Sequence, residues 1–254
     1  SVASRGLGDV YKRQGEFTTI QAALETVLDN NADRTTLRIK PGVYTGPIVV
    51  TRPKQNVTFE GEGADSTIIT YALNVADAIP ENVPEKMAGN GVIVLGDGFE
   101  ARHLNFRNTA GDRGQAMALR LQADRAVVTD CRLLGWQDTL LVHSGRHYFK
   151  NTYIEGRVDF IYGGATSVFD NCHIHTKDGG YITAASTPQE QPFGYLFYHC
   201  KITGHGVKAY LGRPWRPFGA VAFVNCEIGD NIRPEGWHNW GKKSNEQTAR
   251  YVEY

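Results

Sequence analysis

The sequence predicts an all-β chain wound as a parallel β-helix, capped at its N-terminal end by one helix. Three observations carry this. First, the chain is built of short β-rich segments such as LRI, IVV, VTF, GVIVL, AVVTD and YLFYH, separated by Gly, Asn, Asp and Pro, with 28 Gly available for turns. Second, one phrase recurs: DCRLLG from Asp130, NTYIEG from Asn151, NCHIHT from Asn171, HCKITG from His199 and NCEIGD from Asn225, at steps of 21, 20, 28 and 26 residues. Hairpins would place turns every 8 to 12 residues or so without a shared phrase. A solenoid gives an irregular repeat of this length, because insertions bulge from the turns while the strands stay stacked. Third, Thr19 to Leu28 is the one segment with helical periodicity, carrying Ile20, Ala23, Leu24, Val27 and Leu28 on one face. Such a helix suits the exposed end of a stack.

A chain of 254 residues is long enough for one sizeable core, and no shift in composition divides it. Lys+Arg and Asp+Glu are both 27, so there is no basic field for general binding to nucleic acid or to an anionic membrane. No apolar run reaches the length of about 18 residues that a spanning helix requires. The opening segment reads as foreign to the rest. Asp9 to Gln14, DVYKRQ, is what a transposon end used in DNA library preparation would encode, so residues 1–14 are expected to be a cloning or assembly scar and residues 15–254 the single domain.

Within RVDFIYGG, a run that otherwise reads as buried strand, stands the carboxylate of Asp159. A buried ionised Asp costs several kcal/mol, of order 3 or more, unless it is paired or hydrogen-bonded. In a solenoid, residues one coil apart lie about 5 Å from each other, so spacing becomes proximity. Gln137 precedes Asp159 by 22 residues, Gln115 precedes Gln137 by 22, and Asp138 precedes Asp159 by 21. Two amides and two carboxylates should therefore converge on three successive coils. A paired carboxylate serves either glycoside cleavage or acyl transfer through a carboxylate nucleophile. Amide N–H donors beside the pair suit the oxyanion formed when an ester carbonyl is attacked, which favours ester hydrolysis.

At these residues the sequence closely resembles the pectin methylesterases, or pectinesterases. The likeness runs through GEFTTIQAAL, KPGVYTGPI, QAMALR, GWQDTLL, VDFIYGGA, YLGRPWRPFG, IRPEGWHNW and TARYVEY, over about residues 15 to 254, and is read as of bacterial type. The resemblance implies a right-handed, single-stranded parallel β-helix, the pectin lyase-like solenoid. It also implies that Asp159 is the nucleophile and Asp138 the general acid and then base, that Gln115 and Gln137 stabilise the oxyanion, and that Arg213 of GRPW bonds the nucleophile and keeps it ionised. Trp215 then lines the sugar cleft, with Phe160 and Tyr162 as further substrate-side residues and Trp237 and Trp240 packing beneath the groove. The implied partner is methyl-esterified homogalacturonan, with no cofactor or metal, in a monomer that is secreted or periplasmic. The chain ends at TARYVEY, where relatives continue, so a missing C-terminal cap is expected, with reduced stability or self-association as its consequence.

Other residues are expected to be structural. Cys131, Cys172, Cys200 and Cys226 share one place in the phrase and should stack inside, with no C-x-x-C for zinc and a Cys200–Cys226 disulfide left open. His173 and His175 alternate on one strand face with no carboxylate expected in register. Pro80 to Gly91 reads as a solvent-facing loop that could wall the cleft. The competing functions are a polygalacturonase or pectate lyase and a catalytically inactive pectin-binding module.

Overall fold

In the computed structural model the described residues are 2–6, 16–79 and 87–254, with the backbone alone described for 2–6. From Thr35 onward the chain coils as a right-handed parallel β-helix. In the best-formed coil, Ala126–Thr129 lies on one sheet, the chain bends at Asp130, Arg132–Leu134 forms a second side and Leu140–Val142 a third, and Arg146–Lys150 then returns to pair with Ala126–Thr129. Among the described residues every strand pairing is parallel except those of Val2–Gly6, which lies antiparallel on Thr35–Ile39 and on Glu16–Phe17. That strand falls within the segment expected to be a scar; Ser1 and residues 7–15 lie outside the described residues.

The recurring phrase has a backbone meaning. Its first residues, Asp130, Asn151, Asn171, His199 and Asn225, all have φ between 49° and 53°. This left-handed bend is tolerated by Asn and Asp because their short side chains bond locally. Here they bond up the stack: Asn171 Nδ2 donates to Asn151 Oδ1 at 2.7 Å, and Asn151 Nδ2 to Asp130 Oδ1 at 3.2 Å. The next residue turns inward. Cys131, Cys172 and Cys200 are buried, Cys226 is half-buried, and all four are free thiols. Burial pushes the Cys131 thiol up to about 12.

Two residues before the last four of these five bends the interior carries an aromatic column, with Val128 in register below it. Phe149, Phe169, Phe197 and Phe223 are in unbroken register and stack at 4.7, 4.4 and 4.3 Å with interplanar angles of 9°, 7° and 5°. Each ring is fully buried, and together they form the spine of the core.

The helix spans Ile20–Glu25, capped by Thr19, whose Oγ1 accepts the Ala22 N–H at 3.1 Å. Ile20, Ala23, Leu24 and Val27 close the end of the core as expected, but Leu28 is 74% exposed. The helix tightens into i→i+3 bonds at Thr26 and Val27 and stops, turning Leu28 away from the core. A second helix, Asn245–Thr248, lies near the other end. Of the expected solvent-facing loop from Pro80 to Gly91, residues 80–86 lie outside the described residues, and the described end does not face solvent: Met87 is buried and Asn90–Val94 is a buried strand in register with Met117–Leu121.

Candidate active site

The site forms where two sides of the coil fuse. Tyr153–Gly163 and His173–Ala185 each run through both sides as one long strand, with register shifts between Gly156 and Ile161. At the break Asp159 takes φ 51°, and one coil earlier Asp138 takes φ 66°. Asp tolerates this region, as at the coil bends, and here the turn takes each carboxylate out of the strand alternation. The coil arithmetic holds. Gln115 and Gln137 form a parallel bridge, and the Asp138 N–H donates to the Val158 carbonyl at 3.1 Å. Gln115, Gln137, Asp138, Asp159, Tyr162, Arg213, Trp215 and Trp240, with Ala184 between coils, line one pocket of about 190 Å³. A larger pocket of about 590 Å³ shares Gln115, Asp138, Tyr162 and Trp215 and extends past Arg120, His143, Gln191 and Arg216.

Asp159 is 7% exposed, and its partner is Arg213. The guanidinium donates two bonds, Nε to Oδ1 at 2.9 Å and Nη2 to Oδ2 at 2.7 Å, the bidentate geometry that favours the carboxylate anion. Arg213 stands above Ala184, which stands above Tyr162. The small Ala184 leaves room for an arginine two coils away to reach across. Its planar head is sandwiched, with Tyr181 and Trp240 each 3.8 Å from the guanidinium carbon. Burial holds the Asp159 pKa above the usual carboxylate range, and the bonds and charge of Arg213 offset only part of that rise.

Asp138 is 3% exposed and, among the described residues, has no cation bonded to it; burial, followed by the charge of Asp159, pushes it up to about 7. The order of causes matters, because desolvation outweighs the neighbouring carboxylate. Hydrogen bonds from Tyr162 and Gln115, and the charge of Arg213, act in the opposite direction. Two carboxyl groups thus share a pocket in which only one is clamped by arginine. The clamp favours the anion at Asp159, whereas Asp138 has no such clamp and its pKa stands near 7.

Some expected residues have other places. Phe160 is fully buried in the core and cannot touch a polymer; the register break at Asp159 turns it inward. Tyr162 is on the site side but is committed to Asp138, and its ring meets Trp215 edge-on at 5.9 Å. Trp215 is 38% exposed at the pocket rim, a position open to a sugar face. Trp237 packs against Phe223 and Tyr251, whereas Trp240 covers Arg213 within the pocket. Glu155 does lie in register with His175, contrary to expectation, but its carboxylate bonds Lys177 and Tyr153, each at 3.0 Å. His173 and His175 both bond Thr203, and among the described residues no cluster of three His, Cys, Asp or Glu could hold a metal ion. Tyr181 was not singled out from the sequence. It was findable, since it sits one coil above Val158, the residue before the nucleophile candidate.

The pectinesterase family model matches residues 10–254. Pectinesterase 31 of Arabidopsis thaliana is 42% identical over 250 residues, covering 94% of this chain and 78% of that protein. The structure of pectin methylesterase from carrot superposes with a TM-score of 0.88 at 34% identity, over 94% of this chain and 78% of that one. Pectin methylesterase PemA from Erwinia chrysanthemi gives 0.79 at 26% identity, over 94% and 84%. Identity is therefore higher to the plant proteins, and the expected bacterial type is not supported. On the family match and on the identity to its relatives, the chain belongs to the pectinesterase family.

Proposed function

We propose that residues 15–254 form a carboxylic ester hydrolase that removes methyl groups from methyl-esterified homogalacturonan, releasing methanol and leaving pectate. The observation that carries this reading is the unequal pair: Asp159 clamped by Arg213, and Asp138 raised to about 7 in the same pocket beside Gln115 and Gln137. The Asp159 carboxylate attacks the ester carbonyl carbon, and the carbonyl oxygen becomes an oxyanion within reach of the Gln115 and Gln137 amides. Collapse expels the methoxy group, which takes the Asp138 proton and leaves as methanol. The acyl group is then held on Asp159. Asp138, now a carboxylate, takes a proton from water as that water attacks, releasing the galacturonate and restoring Asp159.

Trp215 at the rim offers a face for a sugar ring. No helix among the described residues is long and apolar enough to cross a membrane; export, to a secreted or periplasmic site, follows from where the polymer is met. The test is methanol release from highly methylated pectin by the wild type and Asp159→Asn, with new reducing ends counted. Methanol from the wild type alone, without reducing ends, supports the esterase. Reducing ends would indicate a glycan-cleaving enzyme, and no methanol from folded wild type would indicate a binding module.

A further inference from the structure

The segment that follows the Arg213 strand carries a histidine that the carboxylate chemistry does not use. His238 is tied to the strand Tyr210–Pro214 by its own N–H, which donates to the Gly212 carbonyl at 3.0 Å, and by the adjacent bridge between Gly212 and Trp237. Its imidazole packs on Tyr181 and Tyr210, with centroids 5.4 and 5.2 Å away. Its Nδ1 accepts the backbone N–H of Trp240 at 3.1 Å. An accepting nitrogen carries no proton, so this contact uses the ring with its proton on Nε2.

Trp240 needs such a tether. Its φ is 62°, a region a bulky non-glycine residue occupies only when its surroundings hold it there. Its indole covers one face of Arg213, and Tyr181 covers the other. His238 therefore contacts both jaws of the sandwich, packing on Tyr181 and bonding Trp240. Arg213 in turn holds Asp159 through two bonds whose geometry requires the guanidinium plane to stay fixed.

We propose that His238 is a positioning residue of the esterase. By accepting the Trp240 N–H it keeps the indole on Arg213 and the Arg213 fork aligned with Asp159. This rests on the reading of Asp159 as the nucleophile. Without the acceptor, Trp240 relaxes out of the left-handed conformation and one face of the guanidinium opens. The bidentate alignment loosens, and a smaller share of Asp159 is poised as an anion. The loss falls on the chemical step and not on polymer binding.

The experiment compares kcat and KM for methanol release in the wild type, His238→Asn, His238→Phe and His238→Ala, with thermal melts of each. Asn restores an acceptor for the N–H two residues on, as in an Asx-turn, without the ring; Phe keeps a ring on Tyr181 and Tyr210 without the acceptor; Ala lacks both. We expect His238→Asn to keep kcat within about threefold, and His238→Phe and His238→Ala to lose about tenfold or more in kcat with KM within about twofold. If the Phe variant does not melt cooperatively, the Ala variant supplies the acceptor-free arm. An active Phe variant with an impaired Asn variant would overturn the proposal in favour of ring packing. Equal losses in Asn and Phe, or a loss confined to KM, would overturn it too. An inactive wild type would instead remove the esterase reading on which it rests.

Discussion

Replacing Arg213 with Met isolates what the clamp contributes. Met is close to Arg in length and can remain between Tyr181 and Trp240, so the aromatic sandwich survives while the charge and both bonds to Asp159 go. The two side chains are only 19% and 10% exposed, so solvent screening is slight. At a conservative 1.5 kcal/mol or so for each bond to a charged group, the anion loses about 3 kcal/mol. That corresponds to a fall of about 150-fold in the ratio of anion to acid at Asp159, and in kcat/KM at a pH on the acid limb of the profile. Arg213 lowers both carboxyl pKa values by its charge but bonds only Asp159, so without it the acid limb of the pH profile moves up further than the alkaline limb, which in the wild type is set by Asp138 at about 7. The profile narrows as its maximum falls. Stability follows the same sign. An acid whose folded pKa lies above its unfolded value contributes stability at low pH and loses it as pH rises through the folded pKa. Arg213→Met should therefore melt below the wild type at alkaline pH, by about 6–12 °C for about 3 kcal/mol, with the gap closing in acid. Methanol release across pH and paired thermal melts read both effects. A variant that keeps more than about a tenth of kcat/KM with an unmoved profile would refute the clamp.

Further outcomes follow from the same geometry. Asp138 must carry a proton to release methanol, so kcat should fall as pH rises through about 7; a profile flat between about pH 6 and 9 would remove it as the acid. Tyr162→Phe deletes a hydrogen bond that lowers the Asp138 pKa, so this limb should shift upward, and a limb that stays in place would show that the bond does not matter. Phe197 is stacked between Phe169 and Phe223, so Phe197→Ala should cost about 3–5 kcal/mol by thermal or urea melting while leaving the carboxylate site intact in the folded fraction. A loss below about 1 kcal/mol would mean that the coils close over the gap.

The architecture was legible because a parallel solenoid turns sequence distance into height. The phrase beginning at Asp130 marked the coils, and counting back from Asp159 reached Asp138, Gln137 and Gln115 before any coordinates were needed. What the phrase marks, a left-handed bend, shows up only in the backbone angles of Asn151 and Asn171. The aromatic column could have been read too, since Phe149, Phe169, Phe197 and Phe223 each stand two residues before the phrase. Orientation was not legible at the site itself. Strand alternation would place Asp159 and Ile161 on one face and Phe160 and Tyr162 on the other. The register break cancels that rule, burying Phe160 and Ile161 together and bringing Tyr162 to the pocket. The cause of the high Asp138 pKa was likewise hidden, because spacing reveals a neighbouring charge but not the depth of burial.

The uneven coil lengths have an evolutionary consequence. The intervals between phrases vary from 20 to 28 residues, yet the phenylalanine column passes through them in continuous register. Added residues have gone into connections and left the rungs alone. Length can thus vary around the groove without moving the carboxylates or the amides beneath it. Selection on which stretch of polymer is admitted and selection on the bond that is broken can therefore act on separate parts of one continuous coil.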